Sequence, residues 1–330
     1  MPDFSGYVSM MHKRTGTIIA GLILCWFCAS PLFAQQEAQF TQNMFTRMAV
    51  NPAFAGSSGN ISVTSLMREQ WVGFKDMDGE KVAPQTFLVT MDMPVSLLRG
   101  GIGFSIINDK LGFEKNIGLR LNYAYRTEMG SGRIAFGPVI GFVNKTIDFS
   151  KFKPTQPGDP VLSAAEEQTM LVDLGLGVYY ESSKNYYVGI SSSQLMQTGA
   201  SLGVDVTNYN LKRHYYLQGG YSYVLPNNPM IRVEPSVLFK TDMVTSQIDL
   251  NAMAVYNEKF WGGLTYRYQD AIAFMLGVRY KSFQIGYAYD LTTSRMGGAG
   301  SLGSHEIMLN YSFKLELDKN PRSYRNTRFL

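Results

Sequence analysis

Few residues in this chain are equipped for chemistry. Three histidines and two cysteines are scattered through 330 residues. Ser304-His305 sets a hydroxyl beside an imidazole, the raw material of acyl transfer when a base lies within hydrogen-bond reach of the nucleophile. Adjacent residues of a strand point to opposite faces, however, so this pair does not make a nucleophile and its base. His214 beside Tyr215, and His305 beside Glu306, are poor starts for a metal site, which draws on clustered His, Cys or carboxylates. Gly101-Ile102-Gly103 lacks the later glycine and the following helix of a nucleotide loop. It reads as a strand whose glycines leave room on one face. The sequence therefore predicts no catalytic residue, no metal site and no cofactor. What remains is a set of charges whose meaning depends on the elements that carry them.

Composition narrows those elements. The chain is 17% charged and 13% aromatic, with 32 Gly, 20 Tyr, 20 Phe and a net charge of +4. That is too aromatic and too weakly charged for a disordered chain. It also does not read as a nucleic-acid binder. Only one run approaches the ~18 apolar residues of a membrane helix, and it is N-terminal. Lys13 and Arg14 precede an apolar stretch from Thr15 to Ala29, and Ser30-Pro31-Leu32-Phe33-Ala34 then meets Gln35-Gln36. This predicts a secretory signal peptide over residues 1–34, cut after Ala34. Cleavage would remove both Cys25 and Cys28, so the exported chain would rely on no disulfide. Lys13, Arg14 and Asp3 would leave too, lowering the net charge from +4 to +3.

Beyond a turn-rich stretch at 35–59, expected to be a periplasmic or luminal segment, the pattern has a period of two. Ile117, Leu119, Leu121, Tyr123 and Tyr125 alternate with Gly118, Arg120, Asn122, Ala124 and Arg126. A strand sends these sets to opposite faces. Fourteen such segments are predicted, at 60–72, 85–94, 100–108, 115–127, 132–145, 171–181, 185–194, 213–225, 230–240, 245–256, 259–268, 271–280, 283–291 and 305–316. They have the length of tilted strands crossing a bilayer. All the long connections, 73–84, 146–170, 195–212 and 292–304, follow odd-numbered segments, while every even-numbered one ends in a short turn. Bacterial outer-membrane barrels show this asymmetry, with short periplasmic turns and longer outer loops. A soluble β-sandwich also alternates. Three features weigh against it: Tyr and Phe gather toward segment ends, the opposite face repeatedly carries charge or Gly, and no polar linker interrupts the run. The predicted fold is all-β, a transmembrane antiparallel β-barrel of about fourteen strands over 60–317.

On these parities Arg120, Arg126, Asp173, Arg232, Glu234, Arg267 and Arg279 would line the lumen. One reading has them pair with one another or hold a plug; the other makes them a solute path or the seat of a partner segment. Buried unpaired they would be expensive, so water or a partner must meet them. The tail 318–330 holds Lys319, Arg322, Arg325 and Arg328 and would lie in the periplasm. It reads equally as a frayed basic end and as a docking strip for periplasmic partners or inner-leaflet headgroups.

Several landmarks carry a resemblance. They are Gln39-Phe40-Thr41-Gln42-Asn43-Met44-Phe45, Val50-Asn51-Pro52-Ala53-Phe54-Ala55-Gly56, Arg68-Glu69-Gln70-Trp71-Val72-Gly73 and Pro84-Gln85-Thr86. Gly101-Ile102-Gly103 with Asn108-Asp109 and Gly112 follows, then Gly286-Tyr287-Ala288-Tyr289-Asp290 and Ser304-His305-Glu306-Ile307. In order and spacing these resemble the PorP/SprF family of Bacteroidota outer-membrane proteins, over nearly all of the exported chain. The resemblance implies an outer-membrane barrel of the type IX secretion and gliding machinery. It would work with other secretion components in the periplasm, or with a large secreted adhesin whose C-terminal domain it helps to export or anchor, amid outer-membrane lipid. It further implies a membrane-embedded partner rather than the main translocation pore. Asn51-Pro52 and Trp71 would shape the periplasmic mouth and the first loop. A competing reading is an outer-membrane channel or transporter for small or hydrophobic solutes, since a barrel of this width must be filled or conduct.

Overall fold

The computed structural model describes residues 37–76, 78–152, 165–202, 207–294, 297 and 301–314. The expected signal peptide and basic tail lie outside the described residues. Fourteen antiparallel strands form the wall. The first seven are β1 (Ile61–Glu69), β2 (Gln85–Val95), β3 (Gly100–Leu111), β4 (Glu114–Met129), β5 (Gly132–Asp148), β6 (Glu166–Ser182) and β7 (Tyr186–Ser193). The rest are β8 (His214–Tyr221, resuming as Tyr223–Leu225), β9 (Asn228–Thr241), β10 (Ser246–Tyr256), β11 (Phe260–Arg267), β12 (Ala271–Tyr280), β13 (Phe283–Thr292) and β14 (Ser304–Phe313). Each strand pairs with its sequence neighbour, and β1 pairs with β14 from Ile61↔Phe313 to Glu69↔His305, closing the sheet. Closure leaves no edge strand, which a bilayer without water requires.

The fourteen predicted segments each fall on one of these strands, and the differences are local. β5 and β6 reach 17 residues each, beyond the predicted lengths, because their ladder continues past the wall as far as Asp148↔Glu166. β1 stops before Trp71, whose φ of 51° is incompatible with a continuing strand. β8 is interrupted at Ser222, although its N–H still donates to the Asn185 carbonyl in register with the β7 ladder. Long connections cluster at one end of the cylinder, the loop end, and tight ones at the other, the turn end. The loop between β7 and β8 carries its own small hairpin, Gly199–Leu202 against Thr207–Asn210.

The alternation resolves into an apolar exterior and a polar, small or charged interior. Leu121, Leu176, Ile190, Leu264 and Leu276 stand exposed on the outside, half or more of each accessible. Aromatic side chains flank this band: Tyr256, Phe260, Tyr280, Phe283 and Tyr311 lie toward the turn end, and Tyr266 and Tyr268 toward the loop end. Such girdles sit at headgroup depth, where a ring can be half oily and half wet.

Wall side chains alone do not fill a cylinder this wide. Residues 37–60 enter at the loop end, where Gln39 reaches Gln247, and run through the lumen to the turn end, where the Gly56 N–H meets Asp92 (2.7 Å). The segment coils into short turns, Asn43–Phe45, Arg47–Val50 and Pro52–Phe54. Asn51 caps the last of them by accepting from Ala53 N at 3.0 Å, and Pro52 begins it with no N–H to orphan. The apolar core lies between this plug and the wall. Met44 packs with Met253, Trp261, Met275 and Met308, and Phe40 with Leu66 and Leu88. Glycines on the inner wall admit the plug backbone: a Cβ on Gly137 would collide with Ala53, and one on Gly177 with Asn51.

The exterior assignment predicts a positional effect of charge. Leu276→Arg, midway along β12, should destabilise the barrel by about 2–4 kcal/mol, and Leu302→Arg, in the last long loop, by less than about 1 kcal/mol. Urea unfolding of the protein refolded into vesicles measures both.

Candidate functional site: the occupied lumen

Five strands and the plug converge on one charged cluster. Inward positions of β1, β10, β11, β13 and β14 supply Arg68, Asp249, Arg267, Asp290 and Glu306, all 5% exposed or less. Register aligns them: Arg68 lies opposite Glu306 across the closing seam, and Asp249 opposite Arg267. Arg68 donates to Asp290 (2.7 Å) and Glu306 (3.3 Å), and Arg267 to Asp290 (3.1 Å) and Asp249 (3.2 Å). Thr41 of the plug completes the cluster. Its hydroxyl donates to Asp290 (2.7 Å) and accepts from Arg68 (2.9 Å). Both Glu306 oxygens accept plug amides, Thr41 N–H and Gln42 N–H, each at 2.8 Å. Two arginines face these three buried carboxylates, and Arg267 also reaches the partly exposed Asp270 (3.5 Å). Such a group persists only when every member is paired, because a buried charge that loses its partner costs several kcal/mol.

A second clasp holds the loop-end start of the plug. Glu37 accepts from Arg120 (2.7 Å), from Ser193 (3.3 Å) and from the Tyr216 hydroxyl, and Lys240 donates to the Glu37 carbonyl (3.2 Å). Burial alone would raise this carboxyl. The nearby Arg120 guanidinium, then His214, then the hydrogen bonds from Tyr216 and Arg120 outweigh it and hold the group down to about 2. Toward the turn end Arg126 donates to the carbonyls of Phe54 (3.2 Å) and Ala55, where the chain leaves the last helical turn. Between these clasps Asn51 donates to Val178 O (3.0 Å), and Arg47 stacks over Tyr187, 4.1 Å from the ring centre.

The seven charges singled out from sequence therefore divide. Arg120, Arg126 and Arg267 grip the plug. Asp173 accepts the Gln194 N–H (3.1 Å) and ties down the loop after β7. Arg232, Glu234 and Arg279 stay on the turn-end rim, where Arg232 meets Glu234 (2.6 Å) and Glu258, and Arg279 meets Glu258 (3.4 Å). The tail residues Lys319, Arg322, Arg325 and Arg328 lie outside the described residues. Sequence reasoning missed Thr41, Arg68, Asp249, Asp290 and Glu306. Alternation with Ile307, Leu309 and Tyr311 puts Glu306 on the inner face, but only closure of the sheet brings it to Arg68. Asn51-Pro52 lies in the lumen against β6 and β7, and Trp71 opens the first loop, its backbone N–H donating to Ser304 Oγ (3.1 Å). Ser304 thus points inward, while His305 lies against Tyr287 (2.7 Å) on the outside. Among the described residues no group of three or more His, Cys, Asp or Glu could hold a metal ion. A cavity of about 240 Å³ remains beside the plug at the turn end, lined by Met44, Arg47, Glu181, Tyr187 and Glu234.

Compared with known proteins, residues 32–311 match the family model described as type IX secretion system membrane protein PorP/SprF. Among curated proteins no sequence matches this chain. Among solved structures, the chain is similar to the outer membrane protein Omp33 of Acinetobacter baumannii, at 7% identity and a TM-score of 0.44, over 78% of this chain and 99% of that one. It is also similar to the toluene transporter TbuX of Ralstonia pickettii, at 12% identity and a TM-score of 0.44, over 80% and 92%.

Two outcomes follow from the clasps. Arg68→Ala, which leaves buried Glu306 without a cation and Asp290 with Arg267 alone, should cost about 3–5 kcal/mol and expose Arg47 to trypsin, whereas the wild-type plug resists cleavage. Glu37, depressed from 4.5 to about 2, contributes stability that is full above pH 4.5 and fades as the pH falls toward 2. In a Trp71→Phe background, fluorescence of Trp261, packed on Phe45 at 4.7 Å, should report plug loosening across that window. Glu37→Gln should be loosened already at pH 7 and lose the acid dependence.

Proposed function

The chain belongs to the PorP/SprF family of type IX secretion system membrane proteins, and from that membership and its occupied lumen we propose that it is a non-conducting outer-membrane partner of the secretion machinery. It holds a secreted adhesin's C-terminal domain at the membrane or couples the membrane to periplasmic secretion components. The observation that carries this reading is the plug, pinned at three levels by Glu37–Arg120, by Thr41 within the Arg68–Asp290–Glu306 cluster, and by Arg126 on the Phe54 and Ala55 carbonyls. An open diffusion pore does not fit a lumen crossed by the chain's own residues while they stay seated. A holding partner gains a rigid body of fixed shape, with two ends free to specialise. In this reading the loop end faces outward and the turn end faces the periplasm, as short turns do in such barrels. The rim charges Arg232, Glu234 and Arg279, with Lys319, Arg322, Arg325 and Arg328 of the tail, then present the periplasmic docking face.

Planar-bilayer recording tests the closed lumen. Wild-type protein should show no steady conductance, while Arg68→Ala with Arg126→Ala should open it; a wild-type channel would support solute transport instead. Purification from native membranes should recover secretion components or a large adhesin. Recovery of neither, together with normal adhesin display in a deletion strain, would overturn the proposal.

A further inference from the structure

The outer wall near the tip of the β3–β4 hairpin holds a pairing that sheet physics disfavours. Lys110 and Lys115 lie directly opposite each other across the ladder, and both are exposed. Directly opposed side chains have Cβ atoms about 4.5–5.5 Å apart, and like charges there repel. No acid stands beside either of them in the row; Glu69, two strands from Lys110, is held by Gln85 and Lys81. The next partner beyond Lys110 is Gln85, and beyond Lys115 it is Thr146. Neighbouring lysines are differently placed: Lys81 pairs with Glu69 (3.5 Å), Lys151 with Glu80 (3.9 Å), and Lys145, inside the wall, with Glu114. Among the described residues Lys110 and Lys115 make no ion pair with an acid, and the acids closest in sequence are engaged elsewhere, Asp109 with Thr86 and Glu114 with Lys145.

Depth along the wall identifies what could lie between them. One step toward the barrel middle the outward pair is Asn108 and Ile117, then Ile106 and Leu119, then Phe104 and Leu121. Ile106, Ile117 and Leu121 are exposed apolar side chains. The lysines thus form the first charged row above an oily column, the depth at which lipid headgroups sit. A phosphate monoester carries about −1.5 to −2 charges at neutral pH, close to the sum of two ammonium groups. Two flexible stems rooted this close can bracket one such group.

We propose that Lys110 and Lys115 form a site for a phosphorylated glycolipid of the outer leaflet. One phosphate lies between the two ammonium groups, and the acyl chains lie over Ile117, Ile106 and Leu121. Placing the site in the outer leaflet rests on the orientation proposed above; the binding chemistry does not.

Thermal unfolding of the purified full chain in neutral detergent tests the site. Added lipid A should raise the unfolding temperature of the wild type by at least about 2 °C. Lys110→Gln with Lys115→Gln should lose that rise, while Lys110→Arg with Lys115→Arg should keep it. Without lipid, the glutamine variant should be at least as stable as the wild type, because the repulsion is gone; this also shows that it folds. The site is refuted if the glutamine variant keeps the rise, or if dephosphorylated lipid A, inorganic phosphate or phosphatidylglycerol raises the wild type equally. Detergent removes any dependence on which end faces outward, so failure here leaves the secretion role and the orientation standing, and failure of those leaves this result standing.

Discussion

The structure depends on one constraint: a closed sheet of fourteen strands encloses more space than its own inward side chains occupy, and that space must either hold water or be filled. The chain fills it with its own residues 37–60 and fastens them with charge. Thr41 sits between two buried arginines and two buried carboxylates, giving its hydroxyl proton to Asp290 while accepting from Arg68. These groups are almost wholly buried, so each depends on the others. The arrangement is therefore close to all-or-none. A wall that failed to close would leave Arg68 without Glu306, and a plug that failed to enter would leave Glu306 without its two amide donors.

The same requirement accounts for features that look unrelated along the sequence. Inner-wall glycines occur where the plug backbone presses closest, as at Gly137 against Ala53 and Gly177 against Asn51. The plug is made of short turns rather than a long helix because its polar backbone groups are met individually by wall side chains, as Arg126 meets the Phe54 and Ala55 carbonyls. Apolar contacts are split into small clusters between plug and wall instead of a single core. Outside, lipid imposes the opposite demand, and Leu, Ile, Phe and Tyr cover the wall.

A barrel stoppered in this way offers its ends rather than its bore. The landmarks that carry the family resemblance lie mostly inside: Thr41, Gln42, Asn51, Ala55, Arg68, Asp290 and Glu306 all touch the plug or belong to it. These family marks therefore describe how the body is built. In the proposed role, recognition of a partner falls to the loops, the turn-end rim and the outer wall.

Much of this was legible in the sequence because the signal is local. Alternation at 117–126 or 271–280 names a strand and its oily face without reference to any other residue, and loop lengths assign each strand end to one side. The motif order pointed to the family, and parity placed Arg120, Arg126 and Arg267 on the inner face. What the inner charges meet could not be read, because a period of two gives direction but not height around a closed cylinder. Arg68 and Glu306 are 238 positions apart and become neighbours only when β1 pairs with β14. Arg267 and Arg279 share a parity, yet one grips the plug and the other stays on the rim. Alternation and turn spacing, set by backbone geometry over a few residues, are properties of the sequence alone; the register of closure and the path of the plug, set by contacts across the whole chain, were decided only in three dimensions.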